Sequence, residues 1–302
     1  GSTTLALYRI QVEKQEGAYD FSGAEKTIRL AKQNDMELFG HMPIYGYDFA
    51  MDPPWLNVRK KVMSQKGFTE DYYDALRKYY SACIKQIGNR VTTWSYVNEI
   101  DLSNHSTPNE EKHYVRGAQL FYDEVKKQNP ALPVIGLCVS GVDSMDMFVY
   151  GKKLLPRLKD ALDGIGPDAH VIPCVYGPGY LPISEEKGKF RETMIELKKL
   201  AGPGKLLSIE EKGYQSVSDL PFDHEALKKQ AAVMVRGVIL AKAFGSIRWV
   251  PHYAVHNGVS KTDYGMWRLD NPRPILAAYA AAARLLAFTE NPIEVLPMTG
   301  IY

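Results

Sequence analysis

Two short stretches place a carboxylate where a buried strand would end. Val91-Thr-Thr-Trp-Ser-Tyr-Val-Asn-Glu-Ile100 is a β-branched and aromatic run that stops in Asn98-Glu99, and Lys205-Leu-Leu-Ser-Ile-Glu-Glu-Lys-Gly-Tyr214 is an apolar run closed by Glu210-Glu211. Glu is seldom buried without a partner, so such a residue is either a satisfied structural group or half of an acid and base pair. Glu99 and Glu211 are 211 − 99 = 112 residues apart, about three strand–helix units of a barrel. Two carboxyls facing each other across about 5 Å can cleave a glycosidic bond with retention: one protonates the leaving oxygen and the other attacks the anomeric carbon. Inversion would need a wider gap that admits water. Asn98, an amide beside the acid, suits a hydrogen bond to a sugar 2-hydroxyl in the transition state.

The elements that must carry these residues alternate. Strands are expected near residues 5, 37, 92, 133, 169, 206 and 246, with helices over 23–34, 69–88, 113–128, 147–162 (broken at Pro156), 187–200, 224–244 and 274–287. Strict alternation over this length favours a parallel α/β architecture. No Gly-rich phosphate turn follows an early strand, so a (β/α)8 TIM barrel over residues 3–289 fits better than a doubly wound sheet. Seven units are one short of eight, and the first βα unit is expected to be absent or replaced. Counted that way, Glu99 ends strand four and Glu211 ends strand seven, on opposite sides of the mouth. Residues 290–302 form a tail that either closes the barrel or starts a small β domain. The stretch Pro43 to Lys66, with Tyr45, Tyr47, Phe49 and Trp55, reads as a binding loop whose aromatics stack on sugar rings.

Bulk properties narrow the partners. The 302 residues are 45% hydrophobic and 24% charged, and 37 basic against 35 acidic side chains are mixed along the chain. Neither a nucleic acid nor an anionic membrane has an electrostatic footprint here. No apolar run reaches the roughly 20 residues a membrane helix needs, and the first residues do not have the basic-then-apolar pattern of a leader. Cys83, Cys138 and Cys174 are too few and too widely spaced for a disulfide framework or a Cys-based zinc site, and read as buried filler. His252 and His256 lack a carboxylate at metal-ligand spacing. No metal and no cofactor is expected.

The pairing of WSYVNEI with LLSIEEKGY resembles the glycoside hydrolases of clan A, and GAYDFSGAEKTIRLAKQNDMELFGHMPIYG is similar to the second and third units of families 10 and 39. WVPHYAVHNG and YGMWRLDNPRPILAAYAAAARLL resemble strand eight and the last helix of the same clan. The resemblance implies Glu99 as acid/base, Asn98 beside it on the 2-hydroxyl, and Glu211 as nucleophile. His41 and Tyr176 would line the pocket, with Trp249 as floor of the sugar subsite; apart from the resemblance, Tyr45 and Trp55 are expected to contact substrate from their loop, and His252 to be a pocket or surface residue. The clan pattern of Glu, any residue, Gly is met by Glu211-Lys-Gly213 and not by Glu210, which reads as a structural partner of a neighbouring Arg or Lys. The chain departs from the pattern in three places. HMPIYGYDF lacks the second His of family 10, so no xylanase label follows. Strand six carries Cys174-Val-Tyr176 in place of His-x-Tyr, and Arg9 is the sole candidate for the strand-two arginine.

The expectation is therefore a retaining hydrolase of β-linked oligo- or polysaccharides, with a carbohydrate as its partner and a secreted or periplasmic location. A non-catalytic carbohydrate-binding barrel, a transglycosylase and a metal-assisted barrel enzyme are the alternatives. Binding without turnover would distinguish the first, and sensitivity to chelators the last.

Overall fold

The computed structural model describes residues 2–42, 53–97, 108–138, 145–166, 189–210, 213, 216–217, 224–244, 256–257, 262–263, 265–268 and 271–287. The chain divides into two compact units, Gly1–Ser140 with Ser144–Pro167 and Leu200–Leu206, and Gly141–Asp143 with Asp168–Lys199 and Leu207–Tyr302.

The first unit is organised by one sheet. Strands β1 (Ser2–Ala6), β2 (Glu37–Met42), β3 (Thr93–Tyr96), β4 (Val134–Gly136), β5 (Gly164–Ile165) and β6 (Leu206–Leu207) lie side by side in chain order. The pairs from β1 to β5 are all parallel, with Ala6 opposite His41, Met42 opposite Tyr96, Tyr96 opposite Gly136, and Gly136 opposite Ile165. Parallel neighbours require a crossover, and helices supply it. They are α1 (Arg9–Val12), α2 (Ser22–Gln33), α3 (Pro54–Lys66), α4 (Glu70–Ile87), α5 (Pro108–Gln128) and α6 (Met145–Leu158). This is the alternation of the (β/α)8 barrel class. Five of the six strands stand where sequence pattern put them, and the strands expected near 169 and 246 lie outside the described residues.

Two expectations change. The position between β4 and β6 is taken by Gly164–Ile165, where no strand was expected, and the strand expected near 169 lies outside the described residues. Gly164 is there because nothing larger fits: a Cβ on it would lie 2.5 Å from the Leu206 carbonyl oxygen. The stretch 43–66 is also not all loop, since Pro53 leads into helix α3 with Pro54 in its first turn and Trp55 behind it. Residues 43–52 lie outside the described residues.

The core between sheet and helices is aromatic. Helix α4 buries Tyr72, Tyr73, Leu76, Tyr79, Tyr80, Cys83, Ile84 and Ile87 at three- and four-residue steps, which puts them on one face. Every residue of β3 is buried, as a strand covered on both faces must be. Trp94 of β3 meets Phe121 of α5 edge to face at 5.6 Å, and its ring occupies the space a Cβ would need at Gly40 on β2, 2.5 Å away. The Tyr80 and Tyr96 hydroxyls are 3.2 Å apart. Cys83 and Cys138 are buried and are not joined in a disulfide, as expected of filler.

His113 of α5 is fully buried and stacks on Phe68 at 3.8 Å between ring centres. Burial, with Arg116 adding to it, pushes its imidazole down to about 3. The folded protein therefore holds His113 neutral, while the unfolded chain takes up a proton below about 6.5. Its contribution to stability is complete above pH 6.5 and falls as the pH drops toward 3, by about 1.4 kcal/mol per pH unit. Thermal unfolding at pH 7 and 4.5 should show wild type losing about 2–3 kcal/mol more than His113→Gln, which does not titrate. Equal losses would contradict this.

In the second unit, helices α8 (His224–Phe244) and α9 (Pro274–Ala287) pack around Ala231, Val233, Met234, Met266 and Ile275. Helix α7 (Lys189–Ala201) precedes β6. Short strands β7 (Ser216–Val217) and β9 (Thr262–Asp263) pair antiparallel. In a separate sheet β10 (Trp267–Arg268) lies between β8 (His256–Asn257), to which it is parallel, and β11 (Asn271–Pro272). These two-residue strands carry no period and were not legible in the sequence.

Candidate active site

The carboxyl ends of β1, β2 and β3 come together in register. His41, next to last in β2, sits between Ala6 and Ser95 and is 8% exposed; its carbonyl oxygen accepts the Leu7 N–H at 3.0 Å. Chain direction then puts Val97 at the exit of β3, with its N–H on the Met42 carbonyl oxygen at 3.2 Å. Asn98 and Glu99 follow immediately in sequence and lie outside the described residues, as do Glu211, Tyr45, Tyr176, Trp249 and His252. On the other stretch Leu207, Ser208, Ile209 and Glu210 are all buried, and Glu210 is only 4% exposed. Glu210 thus belongs to the packed end of its run and not to the surface.

Arg9, Trp55 and Tyr79 form one cluster beside the end of β1. Arg9 stands in α1, a turn beyond the strand, and not on a strand as the clan pattern has it. It is 1% exposed, and its Nε donates to Glu13 Oε2 at 2.5 Å. Its guanidinium lies 4.8 Å from the centre of the Tyr79 ring and 5.3 Å from that of Trp55, within reach of both π faces. Trp55 is half-buried, and its indole N–H donates to the Glu13 carbonyl oxygen at 3.3 Å. The Tyr79 hydroxyl donates to the Leu7 carbonyl oxygen at 2.9 Å. Trp55 is therefore seated on a helix against Arg9 and Glu13, where a loop aromatic open to substrate was expected. Glu13 itself was missed. Its spacing of four from Arg9 is the signal that could have found it.

Among the described residues no group of three or more His, Cys, Asp or Glu side chains could hold a metal ion. No described helix is long and apolar enough to cross a membrane.

Comparison with known proteins finds similarity at two levels, sequence over part of the chain and fold over nearly all of it. Residues 8–124 match the model of glycosyl hydrolase family 10, a span that contains α1, β2, β3 and Asn98-Glu99. The fold is shared with a β-glycosidase, BGL167, at a TM-score of 0.68 and 12% identity over 97% of this chain and 84% of that one. A family 10 xylanase from Bispora sp. MEY-1, solved with xylobiose, gives 0.70 and 14% over 94% and 87%. A psychrophilic family 10 endo-β-1,4-xylanase gives 0.64 and 16% over 91% and 87%. Residues 8–124 thus resemble glycosyl hydrolase family 10, and the chain as a whole has the fold of these solved structures, the (β/α)8 barrel class.

Proposed function

We propose that the chain is a retaining glycoside hydrolase in which Glu99 is the acid/base and Glu211 the nucleophile, and that its substrate is a β-linked oligo- or polysaccharide met in a secreted or periplasmic location. The observation that carries the assignment is the position of Asn98-Glu99, inside the family 10 match and directly beyond the buried strand β3. Glu99 gives its proton to the glycosidic oxygen as that bond breaks, while a Glu211 oxygen bonds to the anomeric carbon. The leaving sugar departs as an alcohol. Glu99, now a carboxylate, takes a proton from water, whose oxygen attacks the same carbon and expels Glu211. Two inversions give net retention, and both carboxyls return to their starting states. Asn98 would hold the 2-hydroxyl, and His41, Tyr45, Tyr176, Trp249 and His252 would shape the sugar site.

Leaving-group dependence tests the acid. Glu99→Ala should lower kcat/KM on a phenyl β-glycoside by about 10²–10⁴-fold. The 2,4-dinitrophenyl glycoside of the same sugar, which departs without a proton, should lose far less in its first step. Added azide should restore turnover and give a β-glycosyl azide. Equal losses on both glycosides would remove Glu99 from this role.

A further inference from the structure

Val97 joins β3 to Asn98-Glu99, and its φ is +63°. A β-branched residue in the left-handed region is an outlier that costs about 1–3 kcal/mol. This one is 0% exposed, so its side chain is held on all sides, and its N–H is fixed to the Met42 carbonyl oxygen at 3.2 Å. Leu137 leaves the neighbouring strand β4 in the same way, with φ +55° and 0% exposure. Its N–H donates to the Tyr114 hydroxyl at 2.8 Å. Backbone strain survives only where the surroundings over-determine it. Here it recurs at the carboxyl ends of two adjacent parallel strands, the end of a barrel that carries its reacting groups.

We propose that Val97 is a positioning residue: its left-handed turn, pinned by the buried isopropyl group and by Met42, sets the direction in which Asn98 and Glu99 leave the sheet. The proposal rests on Glu99 being the acid/base. A catalytic group displaced by about 1 Å can lose about 10²-fold in rate, so a fixed exit matters. Glycine at 97 accepts the positive φ but has no side chain to pin it, and the acid would sample many placements. Threonine has the same branched shape and keeps the pin, at the expense of a buried hydroxyl.

The test compares kcat/KM on phenyl and 2,4-dinitrophenyl β-glycosides of one sugar for wild type, Val97→Gly, Val97→Thr and Glu99→Ala, with melting temperatures alongside. Val97→Gly should lose about 10–100-fold on the phenyl glycoside and no more than about 3-fold on the dinitrophenyl one, which needs little acid help. Val97→Thr should keep the wild-type ratio between the two even where its melting temperature falls. If Val97→Gly does not fold, Val97→Asn accepts the same backbone and carries the same expectation. A split for Glu99→Ala with none at Val97→Gly would overturn the positioning role. No split for Glu99→Ala would overturn the acid assignment and the proposal with it.

Discussion

Glu211→Gln is expected to lower kcat by at least about 10⁴-fold, equivalent to about 5.4 kcal/mol of lost transition-state stabilisation. The amide has the shape of the carboxylate but neither its charge nor a nucleophilic oxygen, so the covalent intermediate cannot form. Binding of intact oligosaccharide should persist, because the substitution removes an interaction made only on the way to the transition state. Glu210→Gln should behave differently. Glu210 is buried in the closing run of its strand, and its replacement should change the melting temperature more than kcat, which should fall by less than about 10-fold. Steady-state kinetics on the two purified variants decide the matter. A reversed order would make Glu210 the nucleophile.

Glu13→Ala should destabilise the first unit strongly, by about 3–5 kcal/mol. It leaves the Arg9 guanidinium, 1% exposed, without its counter-charge, and deprives the Gly17 N–H of the carboxylate oxygen that now accepts it at 2.8 Å. The two aromatic faces beside Arg9 offset part of that burial but cannot replace an anion. Removing both charges as Arg9→Met with Glu13→Leu should cost less than Glu13→Ala alone, since neither a buried charge nor a large void remains. Denaturant unfolding of the two variants and wild type tests this. A double variant destabilised as much as Glu13→Ala or more would show that Arg9 and Glu13 do not act as a pair.

What was legible in the sequence follows the strength of each local signal. β3 and α4 announce themselves, the first by a run of β-branched and aromatic residues, the second by a sustained helical period of Tyr, Leu and Ile. Asn98-Glu99 stood out because a carboxylate closes an otherwise apolar run. The strand at Gly164–Ile165 did not, since glycine has poor strand propensity and its place is set by the approach of Leu206, a tertiary fact. The segment 169–176, richer in β-branched residues, carried the expectation and lies outside the described residues. Trp55 was read by its neighbours Pro and Asp as a loop residue, although two prolines at a helix start are also what α3 shows. Arg9 was found by analogy and its position misjudged, because what fixes it is Glu13 at the end of its own short helix together with the Trp55 and Tyr79 rings from two other helices. No composition reveals the left-handed Val97, whose side chain prefers to be elsewhere.

The central claim is that Glu211 bonds covalently to the sugar. Intact-protein mass after incubation with a panel of 2-deoxy-2-fluoro glycosides bearing good leaving groups tests it most directly, on wild type, Glu211→Gln and Glu210→Gln. A single added fluorosugar on wild type and Glu210→Gln, and none on Glu211→Gln, is the expected result. An adduct that survives Glu211→Gln, or no adduct from any sugar while oligosaccharide still binds, would contradict the account.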